Sequence, residues 1–149
     1  MTKIYITTVF LFLSGCTMVS PLKPHDTSHS IVKTSEQIQE TYWKLVELRG
    51  KAVVLNEKER EPYIVLKVQN NRIHGFAGCN LLMGSYELEE GGRIRFSKIA
   101  STMMACPQME EEQVLFHVLE EVEHYSIGEG ILTFTKARMA PLAKFKAIH

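Results

Sequence analysis

The fold is decided by residues 93–125, which read RIRFSKIASTMMACPQMEEEQVLFHVLEEVEHY and change hydrophobic period partway along. Apolar and polar residues alternate from Arg93 to Ile99, and this pattern predicts a β-strand. Pro107 suits the first turn of a helix, and after it apolar residues recur at helical spacing. They are Val114, Leu115, Val118, Leu119, Val122 and Tyr125. We therefore expect one amphipathic helix packed on a sheet.

The polar side of this helix is acidic. Glu110, Glu111 and Glu112 lie in its first turn, near the positive end of the helix dipole. We expect His117, Glu121 and His124 to share the outer face, where a histidine and a glutamate four residues apart could hold a metal ion weakly. No further ligand closes such a site, so the pattern favours a solvated acidic face.

Short alternating stretches elsewhere predict further strands. The first lies in TYWKLVEL, which begins at Thr41. We expect Trp43 and Leu45 of this strand, and Val53 after it, to belong to the core. The others, separated by turn signals such as Gly91-Gly92, are Tyr63–Val68, Asn71–Gly78, Gly84–Leu88, Arg93–Ile99, Gly130–Thr135 and Leu142–Ala147. The expected fold class is α+β: a small antiparallel, barrel-like β-sheet of six or seven strands with one packed amphipathic helix.

The composition limits the classes of protein. A chain of 149 residues suits one ordinary domain, and its 45% apolar and 23% charged residues are typical of a globular body. Cations and carboxylates each number 17, so no net charge attracts a nucleic acid. We expect no nucleic-acid partner.

The first 16 residues, MTKIYITTVFLFLSGC, have the layout of a secretory signal peptide, which we assign to residues 1–15. Lys3 precedes an apolar run that ends at Leu13 and is shorter than the ~20 residues of a membrane-spanning helix. Leu13-Ser14-Gly15-Cys16 resembles a bacterial lipobox, and this resemblance implies cleavage before Cys16 and lipidation of its sulfur. The alternative is an ordinary signal peptide with a chance cysteine.

Two or three acyl chains on Cys16 would anchor the mature chain firmly to a membrane. Thr17 follows instead of the aspartate that commonly retains similar lipoproteins in the inner membrane. We expect the periplasmic face of the outer membrane, with the outer face of the cytoplasmic membrane as the alternative. Residues 16–38 read as a lipidated tether, in which a solvated linker is favoured over metal binding by His25 and His29, and residues 39–149 form the domain.

Cys79 and Cys106 are the remaining cysteines. An even pair in an exported domain favours a disulfide, which would close a loop of 28 residues and contribute about 3 to 4 kcal/mol. The alternatives are a zinc pair that borrows His74, a reactive thiol, and two unbridged buried thiols.

Two motifs indicate a family. They are Gly75-Phe76-Ala77-Gly78-Cys79-Asn80, followed by Gly84 and Tyr86, and Ala100-Ser101-Thr102-Met103-Met104-Ala105-Cys106, with Trp43 in the first strand. On these residues the body from Tyr42 onward resembles the META domain family, which includes HslJ-type lipoproteins. The resemblance implies a small barrel-like α+β fold and a loosely defined role in envelope stress, drug tolerance or secretion, without an established reaction.

The physics of these motif residues is mostly structural. Gly75 and Gly78 allow tight or bulged backbone where the strand turns, and the Asn80 side chain can cap nearby amides. The chain contains no G-x-S-x-G motif, no H-E-x-x-H motif and no framed carboxylate pair. We therefore expect no catalytic residue, no cofactor and no metal.

The expected function is a lipid-anchored binding or scaffold module that contacts an envelope protein through a barrel edge or the helix groove. One alternative is a carrier of an acyl chain or other apolar ligand in a gap in the barrel lined by residues such as Phe76, Leu81, Leu82 and Met83, although plain core packing of these side chains is favoured. The other alternative is a thiol redox enzyme that uses Cys79 and Cys106.

Overall fold

The computed structural model describes residues 38–56, 59–106 and 109–148. The signal peptide, Cys16 and most of the tether lie outside the described residues. Within these ranges the strands are β1 (Tyr42–Leu48), β2 (Lys51–Ala52), β3 (Tyr63–Lys67), β4 (Arg72–Phe76), β5 (Leu81–Glu89), β6 (Arg93–Ser101), β7 (His124–Gly128), β8 (Ile131–Thr135) and β9 (Ala143–Ile148). The helix, α1, spans Met109–Glu121, and a 3-10 turn lies at Gln69–Asn71.

The strands form one antiparallel sheet that closes on itself. The sheet order is β2-β1-β3-β4-β5-β6-β7-β8-β9, and β9 also pairs with β1. This closing ladder runs from Tyr42 opposite Ile148 to Leu48 opposite Ala143. The prediction of an α+β fold with an antiparallel sheet and one helix is therefore confirmed, and the sheet is ring-like where a barrel-like one is predicted. The predicted number of six or seven strands is wrong, since the described residues form nine.

Two strands escaped prediction for different reasons. β2 has two residues, both exposed, so it carries no alternating pattern. For β7, the helical spacing that includes Tyr125 predicts a continued helix, but α1 ends at Glu121. Tyr125 is instead a buried residue of β7, and its backbone amide donates to the carbonyl oxygen of Gly92 at 2.7 Å. The sheet thus overrides the local helical period.

Aromatic and aliphatic side chains fill the interior of the ring. Phe134 packs edge-to-face against Phe96 and Phe145, with ring centroids 5.6 Å and 5.3 Å away. The largest fully buried side chains also include Trp43, Tyr86, Ile64, Leu66, Ile73, Leu82, Leu115, Leu119 and Leu132. The prediction that Trp43 and Leu45 lie in the core is confirmed, whereas Val53 is half-buried at its margin.

The core begins before β1. Ile38, the last residue of the predicted tether, is fully buried. Its carbonyl oxygen accepts a hydrogen bond of 2.8 Å from Nε1 of Trp43, which satisfies the polar atom of an otherwise apolar, buried ring. The chain is therefore already part of the domain at Ile38.

Two motif glycines are required by close packing. A Cβ atom on Gly75, in β4, would collide with the carbonyl oxygen of Tyr63 in β3. A Cβ atom on Gly84, in β5, would lie 2.6 Å from Cδ1 of Ile99 and 3.2 Å from the carbonyl oxygen of Ser97. At Gly75 only the absence of a side chain lets the two backbones approach so closely, whereas at Gly84 the nearest atom is the end of the Ile99 side chain, which a Cβ atom would displace.

The shortest pairing in the described ring is between β6 and β7. These strands pair only at Arg93 and His124. Helix α1 connects them in sequence, packs on β6 and buries Leu115, Val118 and Leu119. The helix therefore supplies apolar cover where strand pairing stops. Neither α1 nor any other helix among the described residues has the length and hydropathy to cross a membrane.

Candidate functional site

A disulfide joins the two family-like motifs. Cys79, after β4, is bonded to Cys106, which follows β6, and their Cα atoms are 5.8 Å apart. Cys79 is buried and Cys106 half-buried. The predicted disulfide is thus present in the structure. Because both sulfur atoms are bonded to each other, the alternatives of a zinc pair with His74, a reactive thiol and unbridged thiols do not describe this state.

Asn80 connects the same two segments through hydrogen bonds. Its Oδ1 atom accepts from Oγ1 of Thr102 at 2.8 Å and from the backbone amide of Met104 at 2.7 Å. Its Nδ2 atom donates to the carbonyl oxygen of Met104 at 3.2 Å. The Asn80 side chain therefore does cap a backbone amide, and that amide lies in the other motif.

Glu112 completes this arrangement from the helix. Its buried carboxylate accepts from the backbone amides of Cys79 and Asn80, at 3.2 Å and 2.6 Å, and from Nδ2 of Asn80 at 2.7 Å. We call Cys79, Asn80, Thr102, Met104 and Glu112 the motif network. Since buried polar groups are costly unless they are bonded, this network fixes helix α1 against the two motif loops.

Sequence reasoning did not find the role of Glu112, because it is one of three consecutive glutamates. The signal was nevertheless present in the spacing: Glu112 lies three residues before Leu115 and seven before Leu119, which puts all three on one helix face. A glutamate on an apolar helix face needs buried donors, and Glu112 has three. Glu110 and Glu111, by contrast, are exposed.

The polar atoms of the motif network hold the backbone of the two motif loops in place through hydrogen bonds. Oγ1 of Thr102 donates to Asn80 and also accepts from the backbone amide of Leu81 at 3.1 Å. The backbone amide of Thr102 in turn donates to the carbonyl oxygen of Leu81 at 3.2 Å. These bonds hold the start of β5 against the segment after β6.

Large apolar side chains project into solvent beside this network. Leu81 is 45% exposed and Met83 43% exposed, on the same side of β5, while Met103 is 100% and Met104 60% exposed. We call these four residues the apolar face. The four residues of the predicted gap in the barrel do not share one environment: Leu82 lies in the core, whereas Leu81 and Met83 are exposed, because the Leu81-Leu82-Met83 run is part of strand β5.

An open cleft of about 480 Å³ adjoins the apolar face. The described residues that line it are Arg60, Phe76, Gly78, Cys79, Leu81, Thr102, Met104 and Cys106. Gly78 has a φ of +114°, a backbone conformation that favours glycine, so this turn beside the disulfide requires the motif residue. We call this space the Arg60 cleft.

Paired charges and stacked rings flank the Arg60 cleft. The rings of Tyr42 and Tyr63 stack with centroids 4.3 Å apart, and the Tyr42 hydroxyl donates to Glu61 at 3.2 Å. Burial, followed by the nearby Glu61 carboxylate, raises the pKa of Tyr42 to about 12. Lys44 lies 2.6 Å from Glu61, and this hydrogen-bonded ammonium lowers the pKa of the Glu61 carboxyl.

A second cleft, of about 400 Å³, lies between helix α1 and the β1–β2 turn. Its lining combines apolar side chains such as Leu48 and Val114 with Arg49, Lys51, Glu110 and Glu111. This cleft corresponds to the predicted helix groove. Cations and carboxylates line it in equal number, so it carries no clear charge preference.

The predicted outer helix face of His117, Glu121 and His124 does not exist as such. His124 belongs to β7, His117 lies 3.6 Å from Glu120, and Glu121 pairs with Arg49 at 2.8 Å. Within residues 38–56, 59–106 and 109–148, no three histidine, cysteine or acidic side chains are grouped to hold a metal ion.

The fold and site define a class of small α+β domain: a closed antiparallel sheet whose motif loops are joined by a disulfide and by buried hydrogen bonds. The chain belongs to the META domain family, whose family model matches residues 36–148. A search of curated protein sequences gave no significant match.

Three solved structures have a similar fold. An NMR structure of a protein from Burkholderia xenovorans is 21% identical, with a TM-score of 0.62 over 76% of this chain and 86% of that one. A second NMR structure is 26% identical, with a TM-score of 0.60 over 76% and 93%. The crystal structure of a DUF4847 family protein from Bacteroides vulgatus is 11% identical, with a TM-score of 0.55 over 75% and 95%.

Proposed function

We propose that this chain is a lipid-anchored, non-enzymatic binding module of the bacterial envelope, similar to the HslJ-type lipoproteins. Cys16 carries the anchor, and the domain contacts an envelope protein through the apolar face of Leu81, Met83, Met103 and Met104. The observation that carries the proposal is the exposure of these four large side chains beside the motif network.

Exposed apolar clusters on a soluble domain commonly mark contact surfaces, whereas scattered single residues do not. Methionine suits such a surface because its flexible thioether adapts to different partners. The disulfide and the motif network hold the segments that carry Leu81, Met103 and Met104. A surface that is ordered before binding loses less entropy on association, so this support favours recognition.

A non-enzymatic role is supported by the use of the polar groups in the motif network. The hydroxyl of Thr102 and both side-chain ends of Asn80 are engaged in internal hydrogen bonds, and the two cysteines are joined to each other. The balanced charge of the chain gives no reason to propose a nucleic-acid partner.

The sequence of the N-terminal segment supports a location on the periplasmic face of the outer membrane, with the outer face of the cytoplasmic membrane as the alternative. The family resemblance supports a role in envelope stress tolerance or secretion. Both statements are part of the proposal, and Cys16 itself lies outside the described residues.

Site-specific photo-crosslinking in intact cells tests the protein contact. A photoreactive residue at position 103 should give a discrete protein adduct, whereas one at position 54 should not. Val54 is a matched control because it is also apolar and 81% exposed but lies next to β2. Leu81→Glu should abolish the adduct from position 103, and Val54→Glu should leave it intact.

Two outcomes of this experiment would contradict the proposal. One is the same adduct pattern from positions 103 and 54, which would indicate non-specific proximity. The other is an adduct from position 103 that persists in the Leu81→Glu protein at full yield, since the contact would then not depend on the apolar face.

The structure gives less support to the two alternative functions, a thiol redox enzyme and a carrier of an apolar ligand. A thiol redox enzyme would need to open the Cys79–Cys106 bond, whose Cys79 sulfur belongs to a buried residue. A carrier of an apolar ligand inside the ring would need space that the core side chains already occupy.

A further inference from the structure

Arg60 is held in place by two aromatic rings. Its guanidinium carbon lies 4.6 Å from the ring centroid of Phe76 and 5.6 Å from that of Tyr63, both within the range of a cation–π contact. Its Nη2 atom also donates to the Tyr63 hydroxyl at 3.3 Å. These contacts orient an exposed cation at the edge of the Arg60 cleft, and only one of its five N–H donors is used in a hydrogen bond to the described residues.

No carboxylate among the described residues pairs with Arg60. This differs from its neighbour Lys44, which lies 2.6 Å from Glu61, and from Arg49, which lies 2.8 Å from Glu121. The described lining of the cleft also contains no acidic side chain. Among the described residues that line the cleft, Arg60 is therefore the one charged side chain, and it is a cation.

The rest of the cleft is suited to hydrocarbon. Phe76, Leu81 and Met104 contribute apolar surface, and the disulfide-bonded residues Cys79 and Cys106 also line the cleft. The one hydroxyl among the described lining residues, that of Thr102, is already engaged with Asn80 and the Leu81 amide. Recognition of a polar group in this cleft therefore falls to Arg60.

We propose that the Arg60 cleft binds a single-chain anionic amphiphile, an acyl chain with a carboxylate or phosphate head. Arg60 receives the head through charge-assisted hydrogen bonds, and the chain lies along Phe76, Leu81 and Met104. The volume of about 480 Å³ is within the range of small-molecule sites. This inference deepens the proposed function, since the cleft shares Leu81 and Met104 with the apolar face.

The test uses the full chain labelled with carbon-13 in its methionine methyl groups, and decanoate as the probe. The chain has seven methionines, of which Met104 lines the cleft. Monomeric decanoate should shift the Met104 methyl resonance in a saturable way. The Met139 resonance should stay unchanged, because Met139 is exposed but lies in the β8–β9 connection.

Arg60→Gln tests the charge. It should weaken decanoate binding about tenfold, which corresponds to the loss of one hydrogen bond to a charged group, and should leave the weaker binding of neutral decanol unchanged. Arg72→Gln is the matched control, since Arg72 is an exposed cation of β4 whose side chain bonds to Ser85 and does not line the cleft. This variant should bind decanoate normally.

The proposal is overturned if decanoate leaves the Met104 resonance unmoved, or if Arg60→Gln weakens decanoate and decanol equally. A Met104 response to phosphatidylglycerol vesicles without a response to monomeric decanoate would also overturn it, because the ligand would then be a bilayer surface. Met103 does not line the cleft, so the photo-crosslink from position 103 reports on the protein contact alone. If it persists in the Arg60→Gln protein while decanoate binding is absent, this inference fails and the proposed function stands.

Discussion

Glu112 and Asn80 are joined by two hydrogen bonds that restrict the conformation of both side chains. The carboxylate accepts from the backbone amide of Asn80 at 2.6 Å through one oxygen and from its Nδ2 atom at 2.7 Å through the other. The Asn80 side chain then has its Oδ1 atom directed at Thr102 and Met104. One helix residue thereby orients the asparagine that organises both motif loops.

Glu112→Ala should therefore destabilise the domain strongly. It removes the acceptor of two buried backbone amides and one of the two acceptors of the Asn80 Nδ2 atom, and we expect a loss of about 3 to 5 kcal/mol in the free energy of unfolding. Glu111→Ala, at the exposed neighbour, should change stability by less than about 0.5 kcal/mol. Chemical denaturation measures both, and similar losses would show that Glu112 acts only as another helix-terminal charge.

Cys79→Ser and Cys106→Ser should each lower stability by about 2 to 5 kcal/mol, because either change removes the same cross-link. The double variant should lose little more than either single one, since one bond cannot be broken twice. Additive losses in the double variant, or two alkylatable thiols in native oxidised protein, would show that the bridge of the structure does not form.

Gly75→Ala should be among the most damaging single methyl additions. The new Cβ atom collides with the backbone of Tyr63, and backbone in a sheet cannot move aside as a flexible side chain can. We expect a loss of at least about 3 kcal/mol. Gly128→Ala is the matched control, because its Cβ atom meets nothing within 4 Å, and thermal unfolding should hardly change. Equal effects at the two positions would contradict the close approach of β3 and β4.

Alkaline pH should weaken the fold partly through Tyr42. Its pKa in the folded state is raised from 10.0 to about 12, first by burial, so folding favours the neutral phenol. The resulting stabilisation is fully present below pH 10 and is lost as the pH rises through about 12. Tyr42→Phe should flatten this slope when unfolding is measured between pH 9 and pH 12. Tyr86 and Tyr125, whose pKa values burial also raises, should leave a residual slope.

Cys16→Ser should abolish lipidation and leave a precursor or a soluble form, because neither other cysteine adjoins a cleavage signal. Metabolic labelling with a fatty-acid analogue measures the modification. Cys79→Ser is a suitable control that should retain the label. Label that persists on the Cys16→Ser protein would overturn the assignment of the anchor.

The elements that the sequence predicted well are those whose pattern reflects a single environment. β1 alternates buried and half-exposed residues, and Trp43 and Leu45 fall where alternation puts them. The helix is recognisable because Leu115, Val118 and Leu119 face one way. In each case local periodicity and tertiary burial agree.

The sequence-based prediction failed at residues whose environment is determined by a partner distant in the chain. Tyr125 fits the helical period but is drawn into β7 by pairing with β8 and by the Gly92 carbonyl. Glu112 looks like a surface acid, and its environment depends on amides 32 and 33 residues away. The Arg60 cleft likewise depends on strand register, since Phe76 lies opposite both Tyr63 and Leu81, and register cannot be read from local pattern.

The ladder between β1 and β9 has a mechanical consequence. Because Tyr42 lies opposite Ile148, the start of β1 and the end of β9 lie at the same end of this ladder. A force that pulls these two segments apart would load one hydrogen-bonded pair at a time, as in a zipper, instead of shearing the whole ladder at once. The ladder should therefore open at a lower force than the free energy of unfolding alone would suggest. A force applied between the start of β1 and the Gly91-Gly92 turn would not pull β1 and β9 apart pair by pair.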